Sequence, residues 1–435
     1  LKLCPSRARP PIGARASWMV LSARQMSART YGFAPKDDTY TYSSVPKADA
    51  SPAGENGAAP LRQERPAEAE SVLSRECRGL CFIFCQWINL LMVFVPLGIY
   101  AHHADWSSAK IFSFNFLAIV PLAGILGAAT ECLATHTGQM IGGLLNATFG
   151  NAVELIVTVN AIRARLVDVV QGSLMGSVLS NLLLVLGMAF FAAGLVSKES
   201  RFSAGGATAN VNCLSLGSMA LALPTIYTSI PDTGEEEVLW ISRICSIIIA
   251  IVYIMFLIFQ LFTHSDMFGS AEEEEEEVLL SVFSSTVVLL SATCCVAYCS
   301  EFLVTAIEGV SDEYGLPKAF IGVILLPIVG NAAEHATAVS VAAKGKMDLA
   351  LGVAIGSSTQ IALFVVPFSV IVGWICDVPM TLDFRPFDAA VMLLSVLMAS
   401  NTLHDGTSNW LEGAQLVSLY VVIAVICWFV PEPRE

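Results

Sequence analysis

Gly150-Asn151-Ala152-Val153-Glu154 and Gly330-Asn331-Ala332-Ala333-Glu334 are versions of one another, and their reading decides the fold. Each sets a Gly-Asn pair and a carboxylate inside an otherwise apolar segment. A charged side chain at the centre of a bilayer costs roughly 3 kcal/mol on insertion scales. Two such residues, each four positions after a glycine, read as two halves of one cation site.

Working outward, the motif proves to be part of a longer repeat. The interval from Gly150 to Gly330 recurs between Gly172-x-x-x-Gly176-Ser177 and Gly352-x-x-x-Gly356-Ser357. Each Gly-Asn therefore precedes its Gly-Ser by the same distance along the chain. Upstream, Thr130-Glu131-Cys132-Leu133 resembles Ser300-Glu301-Phe302-Leu303 at an interval shorter by ten positions. The second half thus carries ten extra residues, expected in a loop around residues 311–317.

A helix needs about 20 apolar residues to cross a bilayer. Eleven segments qualify, near residues 80–101, 111–135, 138–162, 169–196, 208–229, 238–263, 278–306, 318–343, 347–375, 386–403 and 411–430. Five fall in each half and the first is left over. An odd number of spans per repeat makes the second half enter from the opposite side, the inverted-repeat design of many secondary transporters. The expected fold is an all-α polytopic membrane protein with eleven transmembrane helices, one extra helix plus two inverted five-helix repeats. Its expected divisions are a disordered tail over 1–75, the extra helix over 76–107, a first repeat over 108–264, an acidic linker or helix over 265–277 and a second repeat over 278–430.

Composition agrees. Of 435 residues, 55% are hydrophobic and 14% charged, with mean hydropathy +0.67, whereas soluble domains carry about 25% charged residues. Much of the net charge of −14 lies in Glu235, Glu236 and Glu237 and in Glu272, Glu273, Glu274, Glu275, Glu276 and Glu277. Nothing suggests a nucleic-acid partner; acidic loops beside a membrane suit a protein that handles cations. Ten of the twelve cysteines lie in or beside apolar runs and read as small apolar filler. Residues 1–36 hold seven Lys or Arg and no acid. That fits a disordered cytosolic tail better than a mitochondrial transit peptide, and an over-extended start before Met19 or Met26 would look the same. Lys and Arg are nearly balanced between the two sides, with Arg75 and Arg78 favouring a cytosolic N-terminus.

The chemistry follows from the two acids. Gly and Asn leave helical geometry cheaply, and a break frees carbonyl oxygens that need a polar partner inside the membrane. Ca²⁺ takes six to eight oxygen ligands. Glu154, Glu334, the carbonyls around Thr148 and Ile328, and water would supply them, with Gly150 and Gly330 as hinges. Once the metal leaves, two like charges repel, and protons relieve that repulsion. One site that binds either a divalent cation or protons is the core of an antiporter; the plainer reading is a buried Glu bonded to a neighbouring helix. The glycine pairs read first as helix-packing seats. Ser177 with Ser180, and Ser357 with Gln360, share a helix face and could orient the acids or supply oxygens, beside Asn151 and Asn331. Glu131 and Glu301 could draw cations into a vestibule or simply be solvated. His335 reads as support for Glu334, and the acidic run 272–277 as a solvated linker or a cytosolic cation-sensing helix. No nucleophile–base pair, metal-ligand cluster or phosphate loop appears, so no enzyme and no cofactor is expected; Ca²⁺ and H⁺ are substrates.

These motifs resemble the paired repeat motifs of the vacuolar-type cation/proton exchangers, in the Ca²⁺/cation antiporter superfamily. Gly176-Ser177-Val178-Leu179-Ser180-Asn181, Gly356-Ser357-Ser358-Thr359-Gln360 and Asp405-Gly406-Thr407-Ser408-Asn409-Trp410 are similar as well, and the likeness runs from about residue 78 to 430. The resemblance implies an eleven-helix fold in which Glu154 and Glu334 bind Ca²⁺ and exchange it for H⁺. It also implies that Ser177, Ser357 and Gln360 take part, that the acidic run is a cytosolic regulatory helix, and that the chain sits in a vacuolar or similar acidic-organelle membrane. Exchange of Mn²⁺, use of Na⁺ in place of H⁺, and passive conduction remain as alternatives.

Overall fold

Apolar runs of about 20 residues form helices in lipid because only intra-segment hydrogen bonds satisfy the backbone there. A computed structural model describes residues 72–268 and 280–430 of the chain. Eight helices are long and apolar enough to cross a membrane: α3 Ser108–Gly138, α6 Val167–Val196, α7 Ala204–Tyr227, α8 Glu235–Thr263, α9 Val282–Tyr314, α12 Met347–Ile375, α13 Pro386–Leu403 and α14 Trp410–Phe429. Three further candidates are bent pairs: α1 Ser74–Phe84 with α2 Trp87–His103 (77°), α4 Ile141–Phe149 with α5 Ala152–Arg163 (44°), and α10 Lys318–Gly330 with α11 Ala332–Ala343 (56°). Counting each pair as one span gives up to eleven. The acidic run 272–277 and residues 1–71 lie outside the described residues.

The breaks have local causes. Between α3 and α4 the chain passes through Gly138 at φ 77°, where a side chain would be strained. Asn151 (φ −103°, ψ 21°) separates α4 from α5, and Asn331 (φ −90°, ψ 16°) separates α10 from α11. Two expectations need correction. The first apolar segment is not one straight helix but turns by 77° at Cys85 and Gln86. The loop expected around residues 311–317 is shorter than that: Ile307–Tyr314 continues α9 as helix and stops at Gly315 in the left-handed region, φ 63°, leaving Gly315, Leu316 and Pro317 non-helical. A helical insertion keeps its backbone bonds internal, which a loop of that length could not do as simply.

Long apolar helices pack by their faces. The pair α3 and α9 run side by side, with α5 against α9. Against the first part of α6 lies α10, while α11 packs on its second part and on α12. Outside these, α8 covers α12, α13 packs on α7 and α14 on α6. Wider π-helical turns interrupt α6 at Ser180–Val185 and α12 at Ile361–Val365, positions that correspond at the repeat separation, and such turns recur at functional sites.

Polar stitches fix the connections. Strands β1 Ser200–Arg201 and β2 Thr407–Ser408 pair antiparallel, Ser200 opposite Ser408. The carboxylate Oδ1 of Asp348, at the start of α12, accepts from the Ser203 amide at 2.6 Å. At the other end of the helices, Gln171 Nε2 donates to the carbonyls of Thr381 and Asp383, both at 3.0 Å. In the same loop the Leu382 and Phe384 amides donate to Ser242 Oγ and Thr225 Oγ1, each at 2.9 Å.

Candidate functional site

The site is built where two helices begin in the middle of the fold. Glu154 is the third residue of α5 and Glu334 the third of α11. The first amides of a helix have no backbone acceptor, so its N-terminus carries partial positive charge and favours a carboxylate. Both acids thus stand at the favourable end of a half-helix. Glu154 is only 6% exposed, and its Oε1 lies 2.9 Å from where a Cβ on Gly330 would stand. Gly330 therefore serves close approach: any side chain there would press on the carboxylate.

The bends fall where the sequence places them, but the non-helical torsions are carried by Asn151 and Asn331, while Gly150 keeps helical angles (φ −58°, ψ −34°). Each Asn reaches across to the other half. Asn151 Nδ2 donates to Gln360 Oε1 at 2.6 Å, and Asn331 Nδ2 donates to the Ser177 carbonyl at 3.2 Å. Asn181 Nδ2 donates to Ser357 Oγ at 2.8 Å. Ser177 lines a small cavity against Glu154, with Ser173, Val153, Val157, Val329 and Gly330. The fold thus brings together Glu154, Glu334, Asn151, Asn331, Ser177, Ser357 and Gln360.

Donors and acceptors are unevenly satisfied here. Among the side-chain atoms that are buried without a hydrogen-bond partner are both oxygens of Glu154, Oε2 of Glu334, and the Oδ1 atoms of Asn151 and Asn331. All five are acceptors. Buried polar groups are normally satisfied, and each exception calls for an explanation. A cluster of orphan acceptors with no orphan donor in the two motifs suits a guest that only donates or carries positive charge.

The Thr148 hydroxyl donates back to the Leu144 carbonyl at 2.9 Å and the Ile328 side chain is apolar and 37% exposed, whereas the expectation for these positions concerns their backbone carbonyls. Glu131 and Glu301 are exposed on the neighbouring helices α3 and α9. His335 contacts the Asn331 carbonyl through Nδ1, and its Nε2 lies 3.5 Å from Ser180 Oγ, so it braces α11 against α6. No group of three or more His, Cys, Asp or Glu that could hold a metal occurs among the described residues. Any cation held here would draw on amide, hydroxyl and backbone oxygens as well as the two carboxylates.

Gly142 and Gly322 escaped the sequence reading. They stand as far apart as Gly150 and Gly330 do, in Ile141-Gly142 and Ile321-Gly322, and that shared interval was the signal that could have found them. Gly322 lies against Gly172, where a Cβ on Gly172 would sit 3.5 Å from the Gly322 Cα. Gly142 makes no such approach to Gly352; its neighbours are Ala134 of α3, and next to it Gly143 faces Leu261 of α8.

The chain is similar to known proteins. The family model for sodium/calcium exchanger protein matches residues 107–262 and 284–429. A vacuolar calcium ion transporter of Schizosaccharomyces pombe is 42% identical over 356 residues, covering 80% of this chain and 86% of its own. Vacuolar cation/proton exchanger 3 of Oryza sativa subsp. japonica is 44% identical over 368 residues, covering 81% and 88%. Among solved structures, native YfkE superposes with a TM-score of 0.70 at 38% identity, covering 79% of this chain and 100% of that one.

Proposed function

This chain belongs to the sodium/calcium exchanger protein family, and we propose that within it the protein exchanges Ca²⁺ for H⁺ across the membrane of a vacuole or similar acidic compartment. Relatives at 42% and 44% identity are named as a vacuolar calcium transporter and a vacuolar cation/proton exchanger, and YfkE is described as a Ca²⁺/H⁺ antiporter. The observation that carries the reading is the set of five buried acceptor oxygens on Glu154, Glu334, Asn151 and Asn331 without hydrogen-bond partners. Ca²⁺ is a hard cation that takes oxygen ligands, carboxylate and amide alike. Protons answer the same need differently, since a protonated carboxyl turns one acceptor into a donor. The two substrates therefore compete for one set of atoms, and their competition couples the fluxes.

The eleven candidate spans divide as one extra span, whose crossing part is α2, and two five-helix repeats of opposite orientation. In that arrangement α4 and the start of α12 share one face of the membrane, and α10 with the start of α6 share the other. On the second face Gly172 and Gly176 are covered by α10. On the first, Gly352 and Gly356 have no atom within 4 Å of an added Cβ. The protein is thus closed on one face and open on the other, with Glu154 buried and Glu334 partly uncovered. Opening must alternate between faces if the carboxylates are to meet Ca²⁺ on one side and protons on the other. Gln360 and the Ser177 carbonyl hold the Asn151 and Asn331 amides, so that the two Asn oxygens remain turned to the guest, while Ser357 accepts from Asn181.

The test is Ca²⁺ uptake into vesicles carrying the purified protein, driven by an imposed pH gradient, with Mn²⁺ and Na⁺ compared. Uptake should collapse when the gradient is dissipated. Glu154→Gln and Glu334→Gln should each abolish it while the protein remains monodisperse. Normal uptake by a folded Glu154→Gln protein would overturn the assignment.

A further inference from the structure

Helix α1 carries a feature that transport does not use. Its stretch Cys77-Arg78-Gly79-Leu80-Cys81-Phe82-Ile83-Phe84-Cys85 spaces three cysteines four apart. Cys77 and Cys81 share one face of α1, Cys85 follows at the bend with its amide bonded to the Cys81 carbonyl at 2.8 Å, and all three are exposed free thiols. Sγ of Cys81 lies 3.3 Å from Sγ of Cys85. The opposite face is fixed to the protein. Ile83 is 1% exposed, and its carbonyl accepts from Asn89 Nδ2 at 2.7 Å. Glu76 Oε1 accepts from the Ser281 amide at 2.9 Å, ahead of α9. The thiol face is therefore held outward.

What it faces is set by the bend. The 77° angle between α1 and α2 means that if α2 crosses the bilayer, α1 runs close to its surface. Trp87, at the corner, is 81% exposed, and Phe82, Phe84 and Leu90 are exposed beside it. Tryptophan favours the headgroup level. An amphipathic helix of this kind lies in the interface, and cysteines on such a helix are the chemical setting for reversible S-acylation.

We propose that the Cys77–Cys81–Cys85 face carries thioester-linked fatty acyl chains. In each step the cysteine thiolate attacks the carbonyl carbon of a fatty acyl-coenzyme A. A new C–S bond forms, the bond to coenzyme A breaks, and the departing coenzyme A thiolate takes the proton that the cysteine gave up. Nothing is oxidised or reduced. The chains enter the bilayer beside Phe82 and Phe84. Because Glu76 ties α1 to Ser281, they anchor the entrance to the second half of the molecule as well as the N-terminal helix. This inference stands apart from the transport reading.

The test uses the full chain expressed in a eukaryotic host. Free thiols are blocked, thioesters are cleaved with hydroxylamine, and each released thiol is coupled to a polymer-linked maleimide that shifts the band on a gel. The parent should show one to three hydroxylamine-dependent steps. Cys77→Ser/Cys81→Ser/Cys85→Ser should lose them, whereas Cys294→Ser and Cys376→Ser, which remove exposed thiols elsewhere, should keep the parent pattern. Should the triple variant fail to fold, Cys81→Ser alone should remove one step. Ca²⁺ uptake by the triple variant in vesicles should equal the parent's. No hydroxylamine-dependent step in the parent, or the parent pattern in the triple variant, would refute the proposal. So would a shift that appears only after reduction, which would mean a Cys81–Cys85 disulfide.

Discussion

Gly172 and Gly176 in the first half, and Gly352 and Gly356 in the second, are the same motif in the same place of the repeat, yet their surroundings differ. Around the first pair the protein is shut. A Cβ on Gly176 would fall on the Val323 carbonyl oxygen and lie 2.6 Å from Pro327 Cγ. Around the second pair nothing approaches within 4 Å. Small residues that let helices meet are used by one half and left idle by the other. Matching glycines are thus two seats of which one is taken: Gly322 of α10 sits on Gly172, while its counterpart Gly142 rests against α3. The lesson is that chemical symmetry in the repeat coexists with conformational asymmetry, which a transporter with a central site requires.

The largest expected effect tests whether the taken seat serves the site. Gly330 ends α10, and a Cβ there would stand 2.9 Å from the Glu154 carboxylate, so Gly330→Val should displace the acid and lower Ca²⁺ uptake about a hundredfold, the scale of a misplacement of about 1 Å at a reacting centre. Uptake within twofold of the parent would separate the α10 contact from function. Next, cysteines placed at Gly352 and Gly172 should react with a water-soluble thiol reagent at rates at least about tenfold apart, Gly352→Cys faster, because solvent is screened out where helices close on each other. Mass spectrometry of the two peptides reads this directly, and equal rates would break the comparison. Stability sharpens it further. Gly176→Ala overpacks against backbone and should cost about 1–3 kcal/mol, whereas Gly356→Ala has room and should stay within about 0.5 kcal/mol; thermal unfolding in detergent distinguishes them. The smallest effect concerns the cross-half bonds. Asn151→Ala removes the bond to Gln360 and should cost about 1 kcal/mol, with a Gln360→Ala change adding little on top of it.

Much of the site was legible because its chemistry is written in local residues. A carboxylate three residues into a helix that follows Gly-Asn is visible in Glu154 and Glu334 without any structure, and the repeated spacing to Ser177 and Ser357 placed the partners. The candidate spans and the two bends of the repeats could be read for the same reason: apolar length and helix-breaking residues are local quantities. What was not legible depends on packing. Nothing in the residues near Gly172 or Gly352 says which is covered, since either could be. The acceptors chosen by Asn151 and Asn331 depend on which residue of the opposite half stands nearby. The π-helical turns at Ser180–Val185 and Ile361–Val365 follow from the fit between helices and leave no mark in composition. The helix Ile307–Tyr314 runs into the loop expected around residues 311–317 and shows the limit of polarity as a guide, for its acids Glu308, Asp312 and Glu313 can face outward from a helix as readily as from a turn. Cys81 and Cys85, taken for apolar filler by their neighbours, proved exposed because a 77° bend turned their face outward.

The short ladder between Ser200–Arg201 and Thr407–Ser408 has a mechanical meaning. Together with the Asp348–Ser203 bond it rivets three connections, those entering α7, α12 and α14, into one plate. A plate cannot shear without breaking bonds that water would have to replace. Helix α4, by contrast, is set off from its neighbours by Gly138, at φ 77°, and by Asn151, at φ −103°. The strands thus stiffen the connections rather than the helices they join.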